Sequence, residues 1–211
     1  MKKKLIVLGD GGHARTVVEV ALSTEEFEIK AVVGLDQGNE ESWRKDGIRW
    51  EKDSNLSDLA ESGTYAIVGL GQIMNPAPRV SAYERLTELG FEMATLISPN
   101  AYVSKSSTIG MGSVVMHGAV VNAHGRVGEN TIINSMALVE HDAVIGNHSH
   151  ISTGSIINGG SYVGDRTFIG SGALVKQGIT IGSNCFVPMG SSVTADISDG
   201  EQKSEAGRSL Q

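Results

Sequence analysis

The side chains of this 211-residue chain that are best suited to chemistry are its histidines, five of which fall between positions 117 and 150. His141 is followed at once by Asp142. A carboxylate next to an imidazole holds one tautomer and raises its basicity, so the pair suits a general base. The alternative is that these are solvated turn histidines, which is the interpretation we favour for His117, His124 and His148.

A six-residue repeat runs through the same part of the chain. From Ile97 to Val193 every sixth residue is Ile or Val, without insertion, and the residue two positions earlier is usually small. Such a repeat predicts a parallel β-helix in which small or glycine residues turn the corners. A β-sandwich is the alternative, but sandwiches do not hold one phase over about a hundred residues. An Ile or Val followed by Gly also recurs every eighteen residues, so that three hexads make one three-faced coil. The pairs are Ile109-Gly110, Val127-Gly128, Ile145-Gly146, Val163-Gly164 and Ile181-Gly182.

Residues eighteen apart lie above one another on neighbouring coils of such a helix. This places Gly159 beside His141, and Asp142 beside His124. A glycine beside an imidazole leaves open space, and a backbone amide facing that space would serve as an oxyanion donor. Zinc ligation by three histidines is the rival chemistry. No third ligand comes within reach in one subunit, so we expect no metal.

A small α/β lobe precedes the repeat. We place a domain at residues 1–96, the β-helix at 97–197 and a frayed tail at 198–211. Apolar runs and helical spacing predict three strands, at Lys4–Leu8, Ile29–Val33 and Tyr65–Val68, and three helices, at Ala14–Leu22, Asn55–Glu61 and Pro76–Leu89.

The turn Gly9-Asp10-Gly11-Gly12-His13-Ala14 matches G-x-G-x-x-[GA] between the first strand and the first helix, and Asp36 closes the second strand. This arrangement lets a phosphate sit on the amides of a helix N-terminus. The lobe has too few strands for a full dinucleotide domain, so we favour a nucleotide-sugar diphosphate over NAD. A tight turn without ligand is the third alternative.

Composition excludes several classes of function. The net charge of −7, without a basic stripe, argues against nucleic acid as a partner. No run of eighteen apolar residues is present, and Leu5–Leu8 is too short for a signal peptide. The single Cys185 lies at a small inward position of the repeat, which is typical of a buried thiol in a reducing compartment. We therefore expect a cytoplasmic protein that does not bind membranes.

The segments 139–146, His150-Ile151 and Gly159-Gly160, set in hexapeptide coils behind a Gly-Gly-His turn, are similar to one family. It is the family of sialic acid O-acetyltransferases and bacterial UDP-4-amino-sugar N-acetyltransferases, and the likeness covers residues 3 to about 197. The resemblance implies a left-handed β-helix behind a small Rossmann-like domain, assembled as a homotrimer. It also implies acetyl-CoA in the groove between two neighbouring coils of the trimer.

The resemblance implies roles for individual residues. It implies a base and its tuning acid (His141, Asp142), an oxyanion amide (Gly159), contacts to acetyl-CoA (His150, Ser171 and Met189) and nucleotide contacts in the lobe (Gly11, Gly12, His13, Asp36 and Gly69).

The function implied is acetyl-CoA-dependent N-acetylation of a nucleotide-linked 4-amino-sugar, as in surface polysaccharide biosynthesis. His141 would take a proton from the amine during direct attack on the thioester, while the Gly159 amide and His150 hold the oxyanion. O-acetylation of a sialic acid is the closest alternative. A non-catalytic trimer that binds a nucleotide sugar as a scaffold, and a zinc hydratase, are alternatives from other classes.

Overall fold

The computed structural model describes residues 2–34 and 39–202. The described chain forms two compact units. The first comprises the chain up to Gly71 together with Ala77–Pro99, and the second comprises Gln72–Pro76 together with the chain from Asn100 onward. Asp36 and residues 203–211 of the predicted tail lie outside the described residues. No helix of the described ranges is both long and apolar enough to cross a membrane.

The first unit is built on a parallel sheet with the strand order β3-β2-β1-β4-β5. Residues 5–7 in the central strand are fully buried, as expected for a parallel strand covered on both faces. Its elements are β1 (Lys3–Leu8), α1 (Gly12–Ser23), β2 (Phe27–Gly34), α2 (Glu40–Lys45), β3 (Trp50–Lys52), a 3₁₀ helix (Asp53–Leu59), β4 (Thr64–Val68), α3 (Ala77–Glu88), β5 (Glu92–Met93) and β6 (Leu96–Ile97).

Three elements of this unit, α2, β3 and β5, are additional to the sequence prediction, and the 3₁₀ helix replaces the predicted short helix. The segment that carries α2 and β3 is mostly polar, so it has no apolar periodicity to detect. Two buried side chains, Trp43 and Trp50, hold it against the rest of the lobe. One large aromatic residue per element provides burial without leaving a pattern in the sequence.

The second unit is a left-handed parallel β-helix, which confirms the predicted fold class. Its strands, each of two residues, pair in parallel with a register of eighteen, as Val121 pairs with Val139 and Val139 with Ile157. One face carries β7, β10, β13, β16, β19 and β22, the next carries β8, β11, β14, β17 and β20, and the third carries β9, β12, β15, β18 and β21. Their bounds are β7 (Tyr102–Val103), β8 (Thr108–Ile109), β9 (Val114–Val115), β10 (Val120–Val121), β11 (Arg126–Val127), β12 (Ile132–Ile133), β13 (Leu138–Val139), β14 (Val144–Ile145), β15 (His150–Ile151), β16 (Ile156–Ile157), β17 (Tyr162–Val163), β18 (Phe168–Ile169), β19 (Leu174–Val175), β20 (Thr180–Ile181), β21 (Phe186–Val187) and β22 (Ser192–Val193).

One residue at each of these corners of the coil adopts the left-handed backbone conformation. The residue three positions after each inward Ile or Val has positive φ in fourteen consecutive hexads. Glycine adopts this conformation without strain, and Asn and Asp tolerate it better than other residues. The fourteen residues are Gly112, Gly118, His124, Asn130, Met136, Asp142, His148, Gly154, Gly160, Arg166, Gly172, Gly178, Asn184 and Gly190.

Glycine is needed in the Ile-Gly and Val-Gly pairs, which recur every eighteen residues, for a different reason from the one predicted. None of these glycines has positive φ. A Cβ atom at Gly128 would lie 2.7 Å from the Gly146 carbonyl carbon and 2.7 Å from the Asn147 nitrogen. These positions are small because the backbone of the next coil passes against them, not because they turn a corner.

A ladder of hydroxyl groups runs inside the coil at a spacing of eighteen residues. The Thr167 hydroxyl donates to the Gly182 carbonyl oxygen at 2.8 Å and accepts from the Cys185 backbone N–H at 3.0 Å. Ser149 and Thr131 make equivalent pairs of bonds in the coils below. Cys185 ends the ladder, and its burial raises the pKa of the thiol. The small inward residues therefore satisfy backbone groups as well as making room.

Replacing Thr167 by Val is expected to lower the free energy of unfolding by roughly 1–3 kcal/mol, because the shape is kept while a buried N–H and a buried carbonyl lose their partner. Urea denaturation followed by circular dichroism measures the change. Thr180→Val is the matched control, since Thr180 points outward on an exposed position. An equal effect of both variants would contradict the role assigned to the ladder.

The coil continues beyond its predicted end. The Ser183 backbone N–H donates to Asp199 Oδ1 at 2.7 Å, and Gln202 forms a bridge with Phe186. Residues 198–202, which we expected to be part of a frayed tail, are therefore paired with the last coil.

Candidate active site

One corner of the coil carries Ala123, His141, Gly159 and Gln177 in successive layers; we call it the His141 corner. The imidazole of His141 lies over Gly159, where a Cβ atom would be 2.6 Å from Nε2 and 2.7 Å from Cε1. The space beside the glycine, predicted to be open, is occupied by the histidine ring itself. Glycine is therefore required here by the position of the ring.

The His141 ring has a fixed tautomer. Its Nδ1–H donates to Asp142 Oδ2 at 2.9 Å, and the two side chains are 65% and 61% exposed. This bond raises the pKa of His141 above its ordinary value, and it lowers the pKa of Asp142. Nε2 is then left without a proton and able to accept one, which is the state that a general base needs.

A backbone donor lies beside this nitrogen. Within the described residues the Gly159 N–H makes no hydrogen bond, whereas the amides on either side do: Asn158 donates to the Val175 carbonyl and Gly160 to the His141 carbonyl. A cavity of about 340 Å³ opens here, lined by His141, Asp142, Gly159, Gly160, Gln177 and Gly178. The sequence reasoning missed Gln177, although its distance of two coils from His141 is a signal that could have revealed it.

The pH dependence of the reaction is expected to shift when Asp142 becomes Asn. The base must be neutral, so activity rises with pH through the pKa of His141, which Asp142 raises. Removing the carboxylate lowers that pKa, so the acid limb of kcat/KM moves to lower pH, while the rate at the plateau falls because the base is weaker. A limb that stays in place or moves to higher pH would contradict the assignment of His141 as the titrating base.

The predicted acetyl-CoA residues lie on other parts of the coil. His150, only 6% exposed, donates from Nδ1–H to the Gln72 backbone oxygen at 2.6 Å, and its Nε2 accepts from Asn134 Nδ2 at 3.0 Å. Both ring nitrogens are thus engaged within the subunit. Sequence reasoning missed Asn134 and Gln72, and no spacing rule indicates a residue seventy-eight positions away.

Ser171 and Met189 lie one coil apart on a second corner, which we call the Ser171 corner. Ser171 Oγ is 2.9 Å from Ser152 Oγ, and Met189 is 72% exposed. The Ser171 corner and the His141 corner are six residues apart along each coil, or about 20 Å of extended chain. One subunit therefore does not bring Ser171 and Met189 to His141. The contact of His150 with the oxyanion stays a prediction.

The glycine turn of the lobe has the geometry expected of an anion site. Gly11 caps α1 without a side-chain hydrogen bond, and the first turn of that helix has no acidic residue. A Cβ atom at Gly11 or Gly12 would meet nothing within 4 Å, so the backbone is accessible. His13 is half-buried. Gly69 differs from these, because a Cβ atom there would lie 2.7 Å from Val7 Cγ1; close packing accounts for this glycine.

A cavity of about 450 Å³ opens beside this turn, at the carboxyl ends of β1, β2 and β4. Ligands of open parallel sheets bind at such a switch point. The apolar part of its lining comprises Leu8, Val33, Leu70, Pro78 and Ala82, and the polar part comprises Asp10, Asp53, Ser81 and Arg85.

The buried side chain of Arg79 binds the backbone at the end of β4 and at Leu70, which lines this cavity. Its guanidinium donates to the Val68 and Leu70 carbonyl oxygens at 3.0 and 2.7 Å, and burial lowers its pKa to about 9.

As for metals, no group of three or more His, Cys, Asp or Glu side chains able to hold an ion occurs among the described residues.

Two family models match the sequence. The PglD N-terminal domain matches residues 4–86, and the hexapeptide repeat of succinyl-transferase matches residues 162–195. Comparison with curated protein sequences gives no significant match.

Solved structures match nearly the whole chain. The acetyltransferase domain of PglB from Neisseria gonorrhoeae FA1090 is 32% identical, with a TM-score of 0.84 over 95% of this chain and 96% of that one. The chain belongs to the hexapeptide-repeat acetyltransferases. PerB from Caulobacter crescentus is likewise 32% identical to the present chain, with a TM-score of 0.83 over 94% of this chain and 92% of PerB. WeeI from Acinetobacter baumannii AYE, at 22% identity and a TM-score of 0.80 over 94% of each chain, shares the fold. The resemblance found in the sequence is thus confirmed, and the protein is an acyltransferase enzyme.

Proposed function

We propose that this acetyltransferase transfers the acetyl group of acetyl-CoA to the amine of a nucleotide-linked 4-amino-sugar by direct attack. The observation that carries the proposal is the His141 corner. There an imidazole held by Asp142 places its unprotonated Nε2 over Gly159, beside a backbone amide with no other partner in the described residues. A base and an oxyanion donor side by side are what acyl transfer requires.

Two relatives support the choice of substrates, each through what was found bound to it. The PglB acetyltransferase domain was solved with acetyl coenzyme A, and PerB was solved with CoA and GDP-perosamine. The Caulobacter protein is named a perosamine N-acetyltransferase. At 31–32% identity over most of each chain, these relatives favour for this protein a sugar acetyltransferase that uses acetyl-CoA, a nucleotide sugar as acceptor, and an amine rather than a hydroxyl as nucleophile.

The chemical steps follow from the groups present. His141 Nε2 accepts a proton from the amine as its nitrogen bonds to the thioester carbonyl carbon. The Gly159 N–H donates to the oxygen on which negative charge develops. His141 then returns the proton to the departing thiolate sulfur as the carbon–sulfur bond breaks. No acyl-enzyme forms, and holding both substrates together supplies much of the rate.

We assign the nucleotide to the lobe. The α1 N-terminus, with Gly11 and Gly12 bare of side chains, suits the diphosphate. His13, which follows Gly12 in that turn, remains a predicted nucleotide contact from the family resemblance. The apolar walls of the 450 Å³ cavity suit the nucleoside. Asp36 and Gly69 remain predicted contacts from the family resemblance.

We also propose that the enzyme is a homotrimer, in which the Ser171 corner of one subunit lies near the His141 corner of another. His150, Ser171 and Met189 would then line the acetyl-CoA groove from the neighbouring subunit. An apolar stripe supports this arrangement, because it covers the face between the two corners with partly or fully exposed side chains: Tyr102, Val120, Leu138, Ile156 and Leu174.

Replacing Leu138 by Lys is expected to split the trimer and to abolish acetyl transfer, because a charge would be buried in the apolar stripe. Size-exclusion chromatography with light scattering gives the mass of the variant in solution. Leu138→Met is the control, because it keeps an apolar side chain of similar volume. A monomeric, fully active variant would contradict a shared site.

The function is tested by release of coenzyme A thiol from acetyl-CoA, with UDP-, GDP- and dTDP-linked 4-amino-sugars beside free sialic acid. Release with an amino-sugar, together with mass spectrometry showing an amide, supports the proposal. Release with sialic acid alone would replace it with O-acetylation. Absence of release from intact trimers across the panel would favour the non-catalytic scaffold.

A further inference from the structure

Asp10, in the glycine turn after β1, accepts four hydrogen bonds from the segment that carries α2 and β3. Its Oδ2 accepts from the Asn39 backbone N–H at 2.9 Å and from the Trp50 indole N–H at 3.1 Å. Its carbonyl oxygen accepts from Asn39 Nδ2 at 3.1 Å and from the Trp43 indole N–H at 3.0 Å. The chain has two tryptophans, and both donate to this one residue.

These bonds fix the direction of the carboxylate. Two donors hold Oδ2, while Oδ1 accepts no hydrogen bond from the described residues. Gly34 makes the arrangement possible, because a side chain there would collide with the Asp10 carboxylate and the Trp50 indole. The lobe therefore carries a carboxylate oxygen held in one place with no partner in the described protein.

Asp10 also lines the 450 Å³ cavity. Most of that lining is apolar, and its other carboxylate, Asp53, is already paired with Arg85 Nη1 at 2.8 Å from both oxygens. A charged acceptor that has no partner among the described residues and faces a mainly apolar cavity gains from a ligand that supplies the donor. Asp10 is thus suited to recognising a hydroxyl or N–H group of a ligand.

We propose that Asp10 Oδ1 accepts a hydrogen bond from a ribose hydroxyl of the nucleotide, so that the enzyme selects ribonucleotides over deoxyribonucleotides. This inference rests on the proposed nucleotide site in the lobe. Asp10 directly precedes Gly11 and Gly12, the anion site of α1, and in a nucleotide the group next to the diphosphate is the ribose. The base then meets the apolar walls, beyond the reach of this carboxylate.

The test measures binding of GDP and UDP beside their 2′-deoxy and 3′-deoxy analogues, by calorimetry and by tryptophan fluorescence. Both indoles contact Asp10, so ligand binding at its carboxylate is expected to change their emission. A hydrogen bond to a charged group predicts that wild type binds the ribonucleotide roughly tenfold to a hundredfold more tightly than the analogue lacking the bonded hydroxyl.

Asp10→Asn is the decisive variant. The two donors at Oδ2 orient the amide so that its oxygen takes the Oδ2 position and its NH₂ faces the ligand. The charged acceptor is then lost, so affinity for the ribonucleotide is expected to fall while affinity for the deoxy analogue hardly changes. Asp53→Asn, in the same cavity, is expected to leave the ratio of the two affinities as it is. Should Asp10→Asn fail to fold, Trp50→Phe removes one of the two orienting donors and is expected to reduce the ratio in part.

The outcomes separate this inference from the proposed function. Equal binding of ribo and deoxy forms by wild type, or an equal loss of both in Asp10→Asn, would overturn the role of Asp10 and leave the nucleotide site in place. A collapse of binding for one base only, whatever the sugar, would assign Oδ1 to a base N–H and overturn it as well. Failure of wild type to bind any nucleotide would remove both, while the thiol-release assay tests acetyl transfer independently.

Discussion

Replacing His141 by Asn is expected to lower kcat for acetyl transfer by roughly 10²–10⁴-fold, the usual contribution of a positioned general base. Asn keeps a polar side chain over Gly159 but cannot take the proton from the attacking amine. Because the proposed nucleotide cavity and the Gly159 amide are retained, KM for the nucleotide sugar is expected to change little. Thiol release from acetyl-CoA at saturating acceptor measures the effect.

His124→Asn is the control for this prediction. His124 lies one coil before Asp142 at a left-handed corner with φ 59, which Asn tolerates. We expect near wild-type kcat, since we interpret His124 as a solvated corner residue. Retention of most activity in His141→Asn would remove the base from the proposed mechanism, and a comparable loss in both variants would indicate a general effect of the corner.

Replacing Gly159 by Ala is expected to reduce kcat/KM by roughly 10²-fold or more without unfolding the protein. Gly159 does not have positive φ, so the backbone accepts alanine. The new methyl group would sit 2.6 Å from His141 Nε2, however, so the ring must move away from the point where it accepts the proton. Misplacing a catalytic group by about 1 Å is enough for a loss of this size. Steady-state kinetics measures the loss, and thermal unfolding checks the fold.

A double-mutant cycle gives the cause. If Gly159→Ala acts by displacing the imidazole, it is expected to cost little further in a His141→Ala background, where the methyl group has room. Residues in contact behave non-additively in this way. Fully additive effects would mean that Gly159→Ala impairs the amide or the substrate, not the position of His141.

Most of the fold could be predicted from the six-residue repeat, because the repeat relates residues that are close in the sequence. A branched aliphatic residue at every sixth position can be buried by a coil of that period alone, so Ile133, Val139 and Ile145 determine the phase of their neighbours. The lobe was harder. Its α2 and β3 depend on the burial of Trp43 and Trp50, and two isolated aromatic residues in a polar segment leave no period to recognise.

The predicted site divides in the same way. Because the coil converts a sequence distance of eighteen into contact, the amino-acid order is enough to place His141 beside Gly159. The same arithmetic contained Gln177, which was missed. It contained nothing about the Gln72 carbonyl that holds His150, or about the indoles that hold Asp10, since those partners come from segments outside the repeat.

The amino-acid sequence by itself determined the β-helix, the His141–Asp142–Gly159 group and the glycine turn of the lobe, because each rests on neighbours in the chain or on a constant period. Tertiary structure alone decided that the imidazole fills the space over Gly159, that Asp10 Oδ1 accepts no hydrogen bond from the described residues, and that the Gln72 carbonyl oxygen holds His150. Side-chain direction and contacts between distant segments are set by packing in three dimensions, and no local pattern records them.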